Sequence, residues 1–296
     1  MSSRKWLNCR LSDIQERLGT HQVSKPVISR LLKAHDYRLR ANTKQVCSKQ
    51  DPERNLQFEY IQEQRQQHEA AGEPKISTDT KKKELIGNFK NPGQIWCQAA
   101  EQVHAHDFKQ DSLGCAVPYG VYDLQFNRGT VYLGKSADTP AFAVDNIAAW
   151  CATERLERFP YSSCLMIETD SGGSNSATSK AWKYHLQGKV SDRFGLIVTV
   201  CHYPTGASKW NPIEHRLFSE ISKTWAGCPL RTFPIAAQYI RETQTQTGLS
   251  VQAHIVQKKY ATGEQITNEM MATLNIYHHQ ICPQWNYTIY PRYHVQ

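Results

Sequence analysis

The order in which predicted strands and helices follow one another restricts the fold of this chain more than any other feature of its sequence. Three strands come first, and helices then alternate with two further strands. The predicted strands are 74–80, 115–124, 130–134, 164–169 and 196–200, and the predicted helices are 141–158, 176–187 and one that follows Asn211. We expect the first strand to continue as far as Phe89. A turn at residues 127–129 makes an antiparallel hairpin, whereas a helix between two strands makes them parallel. The pattern predicts an α/β fold with a mixed sheet flanked by helices.

The composition is that of a chain with a large core and no membrane segment. The 296 residues, 40% of them hydrophobic, are enough for one large domain and a small one. No stretch is long and apolar enough to cross a membrane. The nine cysteines include no Cys-x-x-Cys pair, which favours reduced thiols over disulfides or zinc. We therefore expect a cytoplasmic protein with no membrane partner.

Positive charge is concentrated in the first 50 residues. They contain 11 basic and 3 acidic side chains, whereas the remaining 246 residues contain 24 of each. A basic block joined to a balanced domain is typical of a nucleic-acid-binding segment attached to an enzyme. A solvated basic face is the simpler alternative, and charge alone leaves it open.

Two short helices are predicted within this basic block. The first contains Leu11, Ile14 and Leu18 at helical spacing, and the second follows the capping residue Ser24. Two such helices joined by a tight turn predict a small all-α helix-turn-helix domain that binds DNA. The candidate DNA contacts on the second helix and in the segment after it are Lys25, Arg30, Lys33, Arg38, Arg40 and Lys44.

The predicted elements divide the chain into four parts. Residues 1–50 form the helix-turn-helix domain, and residues 51–73 form a linker helix that begins at Asp51-Pro52. Residues 74–228 form the α/β domain. Residues 229–296 form a C-terminal extension that we expect to pack on it.

A carboxylate is predicted at the start of the helix after Asn211. Asn211 is a suitable cap, and Pro212 suits the first helical turn. Glu214 then lies near the positive end of the helix dipole. Taken alone, this pattern favours a capping box, in which Glu214 bonds back to the Asn211 amide. Two further carboxylates make a catalytic role the alternative.

Those two carboxylates are Asp79, in the first strand, and Asp170, at the end of the fourth. A charge inside a helix-covered sheet is costly unless it is paired, and sites in such sheets lie at strand ends. With Glu214 they form an oxygen-only cluster that suits Mg²⁺ or Mn²⁺. Two such ions can activate a water or a 3′-hydroxyl in phosphodiester chemistry. A turn residue at Asp170 and an ion pair between Asp79 and the lysines at 81–83 are the simpler alternatives.

With these residues in place, the chain resembles a bacterial insertion-sequence transposase of the ISAzo type. This is a DDE family that is distantly similar to the mariner-like transposases. The resemblance covers residues 11–292, and its most specific segments are 77–84, 118–123, 170–175, 201–204, 208–218 and 285–289. It implies a ribonuclease-H-like catalytic domain. Family members extend further upstream, so we expect this chain to lack the N-terminal part of these transposases, as a fragment or the product of a decayed element.

The resemblance implies that Asp79, Asp170 and Glu214 are the catalytic acids and the metal ligands. The implied activity is that of a Mg²⁺-dependent or Mn²⁺-dependent transposase, which cleaves and joins DNA at insertion-sequence ends. Its implied partners are double-stranded DNA, both terminal inverted repeats and target DNA, and further copies of the chain on that DNA. It would be a nucleoid-associated bacterial protein. A non-catalytic DNA-binding remnant and a ribonuclease-H-like nuclease without strand transfer are the alternatives.

Other polar residues near the predicted acids are candidate auxiliary groups. Lys209 and Arg216 are candidate phosphate contacts, as are the lysines at 81–83, although solvated charges are the simpler interpretation. His202 and His215 flank the site. A packed, hydrogen-bonded histidine is favoured for both, with orientation of a carboxylate or a phosphate as the alternative.

Overall fold

The computed structural model describes residues 9–19, 21–38 and 52–292. The chain forms two compact units, Met1–Ser48 and Lys49–Gln296. Two of the candidate DNA contacts, Arg40 and Lys44, lie outside the described residues, as does the cap Asp51.

The described part of the first unit contains two helices, α1 (Leu11–Arg17) and α2 (Lys25–Ala34). The Arg10 backbone N–H donates to the Asp13 carboxylate at the start of α1. Ser24 occupies the predicted cap position of α2, where its carbonyl accepts from the Ile28 N–H. The side chain of Ile28 is buried. These two helices are the pair that the sequence predicts.

The second unit is built on one large mixed sheet. Its described strands are β1 (Lys75–Thr80), β2 (Glu84–Ile86), β3 (Gly114–Asp123), β4 (Arg128–Gly134), β5 (Cys164–Thr169), β6 (Ile197–His202), β7 (Ser250–Ile255), β8 (Ile276–His278) and β9 (Asn286–Ile289). Their order is β7-β4-β3-β1-β5-β6-β9-β8, and β2 pairs with β3. Strand β1 is antiparallel to β3 and parallel to β5. The inner strands β4-β3-β1-β5-β6 have the order of a ribonuclease-H-like sheet, so the predicted fold class is confirmed.

The first strand is shorter than predicted. It ends at Thr80, and after the three lysines the chain resumes pairing along the same strand β3 as the short strand β2, which ends at Ile86 and not at Phe89. Two of the three lysines that follow, Lys82 and Lys83, are exposed. A central strand covered on both faces cannot keep such charges in its ladder, so the strand ends where the lysines begin.

Helices cover both faces of the sheet. They are α3 (Arg54–Ala70), α4 (Pro140–Trp150), α5 (Leu156–Arg158), α6 (Lys180–Leu186), α7 (Ser219–Thr224), α8 (Phe233–Arg241) and α9 (Asn268–Ala272). π-Helical turns continue α4 and α6, and another, Glu214–Phe218, precedes α7. Trp150 and Trp182 are buried in the core on one face, and Phe218 and Trp225 in the core on the other. Helix α6 begins four residues later than predicted, because the Ser179 hydroxyl caps it by accepting from the Trp182 N–H.

Helix α3, predicted as a linker, is packed against the sheet of the second unit. The Gln57 amide donates to the His202 carbonyl and to the Asn286 side chain, both at 2.8 Å. The Arg65 guanidinium forms an ion pair with Glu168 on β5 and donates to the Tyr203 hydroxyl at 2.6 Å. These buried bonds hold α3 as a fixed part of the second unit.

The segment after residue 229 extends the sheet at both edges. Strand β7 lies parallel beside β4, and β9 lies antiparallel beside β6. The C-terminal extension is therefore built into the same sheet as the predicted acids. No helix within the described ranges is long and apolar enough to span a membrane.

Candidate active site

The pairing of two adjacent parallel strands determines the positions of two of the predicted acids. Thr78 on β1 pairs with Thr169 on β5, so Asp79 and Asp170 come next at the same edge of the sheet. Both line a cavity of about 250 Å³. The cavity is also lined by residues 80–83, by Asp138 and by Gly172, Gly173 and Ser174. The parallel β1–β5 ladder thus brings together the two aspartates that the sequence predicts.

Asn211 fixes the start of the helix that contains Glu214. Its side-chain amide donates to the Thr78 carbonyl at 3.2 Å, and its side-chain oxygen accepts from the Ser77 hydroxyl. The Ile213 N–H donates to the Ser77 oxygen at 3.1 Å. The Asn211 side chain is therefore bonded to β1 and does not form its half of the expected capping box. The Glu214 N–H is bonded by the Asn211 backbone carbonyl instead.

A glycine allows this helix to approach the sheet. Gly120 on β3 pairs with Asp79 on β1. A Cβ atom at Gly120 would lie 2.6 Å from the Phe218 ring and 2.8 Å from the Ile213 side chain. The absence of a side chain at this position lets the helix pack directly on the strand next to Asp79.

Clustered negative charge changes the acidity of the predicted acids. Burial, and then the charges of Asp170, Glu214 and Asp138, raise the pKa of Asp79 well above its ordinary value. Burial, and then the charges of Glu214 and Asp138, raise the pKa of Asp170 to about 6, against a hydrogen bond from the Gly172 N–H. Burial raises the pKa of Glu214, and the positive charges of Lys81 and His215 oppose it. A cation in the cavity would relieve this repulsion.

The donor atoms at this edge of the sheet fit a hard divalent cation. They are carboxylate oxygens, and one of them, Asp170 Oδ1, is buried without a hydrogen-bond partner. An unpaired buried carboxylate oxygen is costly unless a cation or a donor meets it. The residues present therefore suit Mg²⁺ or Mn²⁺.

The expected cluster of three acids is formed only in part. Glu214 influences both aspartates through its charge, but it does not line their cavity. Across the described ranges, no group of three or more His, Cys, Asp or Glu side chains is arranged to hold a metal ion. A charge affects a neighbouring pKa over longer distances than a carboxylate can share a metal ion. Glu214 is therefore near the two aspartates, but its side chain must turn toward them before all three can bind one metal ion.

Asp138 is a further acid that lines this cavity, and the sequence did not predict it. It accepts a hydrogen bond of 3.1 Å from the hydroxyl of Thr80, the residue after Asp79. It immediately precedes Thr139, the cap of α4. An Asp before Thr-Pro is typical of a helix start, and only its position after the edge of β4 could have indicated a site residue.

The basic residues predicted to contact phosphate near the acids lie in three separate places. Lys81 lies at the cavity, paired with Glu84 at 3.0 Å and above the Trp225 ring at 4.7 Å. Lys209 lies 5.4 Å above the ring of Trp210, and both side chains are exposed. Arg216 lines a separate cavity of about 420 Å³ beside Tyr122. The structure thus does not place Arg216 at the acids.

The candidate contacts of the first unit that are described all face solvent. Lys25, Arg30, Lys33 and Arg38 are exposed, and Arg38 also lies 3.7 Å from Asp36. Exposed cations on and after the second helix are what a DNA-binding helix pair needs.

The two histidines predicted to flank the acids, His202 and His215, differ in burial. His202 is fully buried, and burial lowers its pKa to about 4, so that it is neutral at pH 7. His215 is exposed and contacts the Lys209 carbonyl through a ring nitrogen. His202 is thus packed and hydrogen-bonded, whereas His215 is not buried.

Comparison with known proteins identifies the family. Residues 1–291 match the family described as the Rhodopirellula transposase DDE domain. The chain belongs to this family of DDE transposases. No curated protein matches it.

Solved structures of the Mos1 transposase are similar to this chain. The Mos1 paired-end complex with the left transposon end is 13% identical, with 78% of this chain aligned to 65% of the Mos1 chain and a TM-score of 0.48. The Mos1 strand transfer complex is 10% identical, with 82% aligned to 73% and a TM-score of 0.47. A Mos1 mariner paired-end complex with Mn is 14% identical, with 78% aligned to 65% and a TM-score of 0.47. The chain therefore spans about two thirds of the Mos1 chain.

Proposed function

We propose that this chain is an active transposase that cleaves and joins DNA phosphodiester bonds at the ends of its insertion sequence, with Asp79, Asp170 and Glu214 as the catalytic acids. The observation that supports the proposal most is a pair of aspartates at the ends of adjacent parallel strands: Asp79 is buried, and Asp170 is half-buried with one buried oxygen that has no partner. An ion pair does not account for the position of either aspartate, because neither forms a salt bridge with any residue that the structure describes.

Asp79 and Asp170 would hold divalent metal ions, and Glu214 would complete the ligand set. When bound, Mg²⁺ or Mn²⁺ supplies activation of a water or a 3′-hydroxyl and stabilisation of the leaving oxygen. The protein's own contribution is to hold the carboxylates. The Gly172 N–H bonds the Asp170 carboxylate, the Thr80 N–H bonds Asp79 at 2.7 Å, and Asn211 ties the Glu214 helix to β1.

DNA binding is assigned to two surfaces. The exposed cations Lys25, Arg30, Lys33 and Arg38 would contact the terminal inverted repeats, together with Arg40 and Lys44. Lys82 and Lys83, exposed beside the acid cavity, would bind the phosphates next to the scissile bond. Lys209 remains a candidate contact near the helix of Glu214, and Arg216 a more distant one. Both transposon ends must be held together for joining, which favours a homo-oligomer on DNA in the bacterial cytoplasm.

Two alternatives make different predictions. A non-catalytic DNA-binding remnant would bind the same DNA without cutting it. A ribonuclease-H-like nuclease would cut without joining. The concentration of positive charge in the first 50 residues favours a protein directed to particular DNA over a general nuclease.

The experiment uses a supercoiled plasmid that contains the genomic DNA flanking the gene on both sides. We expect nicking and strand transfer in Mg²⁺ or Mn²⁺, at the boundaries of the element, and neither in excess chelator. Binding without cutting would identify the remnant, and cutting without joined products would identify the nuclease.

A further inference from the structure

A line of buried side chains connects the C-terminal strand to the backbone of Asp170. The Trp182 indole Nε1 lies 2.8 Å from the Tyr287 hydroxyl, which lies 3.1 Å from His202 Nε2. The other ring nitrogen of His202, Nδ1, lies 3.0 Å from the carbonyl oxygen of Asp170. Trp182, His202 and Tyr287 are all completely buried. The side chains come from α6, β9 and β6, and His202 on β6 is the member of the line that contacts Asp170.

The direction of every hydrogen bond in this line is fixed by its two ends. An indole N–H can only donate, and a backbone carbonyl can only accept. His202 Nδ1 must therefore hold the proton that bonds Asp170. Nε2 is then an acceptor, and it takes the hydroxyl proton of Tyr287, whose oxygen accepts from Trp182. One tautomer of His202 satisfies all four groups, and the opposite tautomer leaves the Asp170 carbonyl without this donor.

This series of hydrogen bonds ends at the edge of the sheet, where the pairing of β5 with β6 stops. Thr169, the last residue of β5, pairs with His202, the last residue of β6. Asp170 follows as the first residue beyond the ladder, and His202 Nδ1 is the donor recorded for its carbonyl among the described residues. One of its carboxylate oxygens, Oδ1, has no hydrogen-bond partner of its own. The Gly172 N–H holds the carboxylate from one side, so its direction depends on that bond and on how firmly the Asp170 backbone is held.

We propose that His202 is a positioning residue that holds Asp170 in place through its Nδ1–H, with Tyr287 and Trp182 fixing the tautomer. The inference rests on the proposed function only in that Asp170 is a catalytic acid. His202 itself touches neither DNA nor the reacting atoms. Misplacement of a catalytic group by about 1 Å can cost about 100-fold in rate, so loss of this bond should lower kcat and leave DNA affinity unchanged.

Two substitutions of His202 separate this role from packing. His202→Asn places an amide N–H near the position of Nδ1, so that it can still donate to Asp170. His202→Gln reaches the position of Nε2, so that it can still bond Tyr287 but offers nothing to Asp170. Both leave a polar side chain and a partly filled site, and Tm measures the stability that each loses. Nicking of the plasmid described above gives kcat and KM for the folded fraction.

We expect His202→Asn to cut within a few-fold of the parent, and His202→Gln to lose about 100-fold in kcat with an unchanged KM. Tyr287→Phe, which removes the hydroxyl that fixes the tautomer, should lower kcat in the same direction. Equal rates for the Asn and Gln variants, whether high or low, would show that His202 only fills space.

The tautomer can be read without any variant or any activity. Long-range ¹H–¹⁵N spectra of the unaltered protein should show His202 protonated at Nδ1, and protonation at Nε2 would overturn the proposal. A parent chain that leaves the plasmid uncut in Mg²⁺ would refute the proposed function, and with it any effect of His202 on the cleavage rate. A parent that cuts while the Asn and Gln variants behave alike would refute the positioning role alone.

Discussion

Glu214 is the residue for which the sequence offered two explanations, and the structure changes their balance. The Asn211 side chain is bonded to Ser77 and Thr78, so it is not available for the capping box that the local pattern favours. Glu214 is half-buried, and its charge raises the pKa of both aspartates. A residue that served only as a cap would not need to lie near these acids.

We predict that Glu214→Gln keeps the stability of the parent and loses cleavage and strand transfer by orders of magnitude. Glutamine replaces glutamate well in a capping box, but an amide cannot replace a charged metal ligand. Tm and strand transfer are the two measurements. Glu220→Gln, further along the same helix, should keep full activity because Glu220 pairs with Lys223 at 2.7 Å. A Glu214→Gln protein that still joined DNA ends at the parental rate would remove Glu214 from the catalytic acids.

Asp170 should make the metal-free protein less stable as pH rises. Its pKa in the folded protein is about 6, above the ordinary value of 3.8, so the folded state keeps a proton that the unfolded state has released. The free energy of unfolding therefore falls as pH rises through this window, by up to about 3 kcal/mol. Asp170→Asn should flatten the fall between pH 4 and 7 in urea titrations with chelator. Glu157→Gln, which alters an exposed carboxylate on α5, should leave it unchanged. An equal pH dependence in Asp170→Asn and the parent would contradict the raised pKa that burial and neighbouring charge give Asp170.

The sequence predicts Asp79 because a charge inside a helix-covered sheet needs a role, and Asp170 because it directly follows an apolar strand. It does not predict Asp138, since an Asp before a helix cap has an ordinary explanation. Nor does it predict the bond between Asn211 and Ser77, because nothing local indicates a partner 134 positions away. Contacts between distant segments depend on the packing of the sheet, which the pattern of a single segment does not contain.

Among the secondary-structure elements, the packing of the Glu214 helix against β3 positions the third proposed acid, Glu214. The helix of Glu214 lies on β3 at Gly120, where a Cβ atom would meet the Phe218 ring at 2.6 Å. The approach of helix to strand is therefore set by the absence of a side chain.

Gly120→Ala should destabilise the protein by about 1–3 kcal/mol, as overpacking of a core does, and should lower the cleavage rate by moving Glu214. Gly188→Ala is the matched control. A Cβ atom there meets nothing within 4 Å, so this variant should be at least as stable as the parent, because alanine is the better helix former. Shortening the opposing side chain in Gly120→Ala with Phe218→Leu should recover part of both losses. Equal stability of the two alanine variants, measured in urea, would exclude the proposed close packing.

Strands bounded by turns were predictable, and elements that depend on their neighbours were not. The limits of β5 were predicted correctly because an apolar run ends at Asp170. The end of β1 at Thr80 was missed, since β-forming residues continue beyond the lysines. The docking of α3 was also missed, because its buried bonds involve polar residues, Gln57 and Arg65, on a helix whose sequence looks largely polar.

At the scale of the whole molecule, the uneven charge predicts where DNA binds. The excess positive charge lies in the first 50 residues, and the four described cations proposed to contact DNA there are exposed. The sequence predicted this division of charge, but it did not predict that the C-terminal strands complete both edges of the sheet. That completion depends on pairing between strands far apart in the chain.

We expect substitution of Lys25, Arg30 and Lys33 by Gln in the full chain to weaken duplex binding and to reduce its dependence on salt. Each phosphate contact that is lost should lower the slope of log K against log[salt] by about 0.9. The control removes three exposed lysines of the second unit, Lys90, Lys109 and Lys259. Fluorescence anisotropy at several salt concentrations measures both slopes, and equal slopes in the two triple variants would contradict the assignment of DNA binding to the first unit.

The function proposed above is that of a metal-dependent DNA transposase built on two aspartates of neighbouring strands, Asp79 buried and Asp170 half-buried. Its most direct test measures strand transfer by the parent, Asp79→Asn and Asp170→Asn on the plasmid with the flanking genomic DNA, together with the Kd for that DNA. We expect joined products from the parent in Mg²⁺ or Mn²⁺ only, and none from either variant, although all three proteins bind the DNA equally. Strand transfer at the parental rate by either variant, or by the parent in excess chelator, would contradict it.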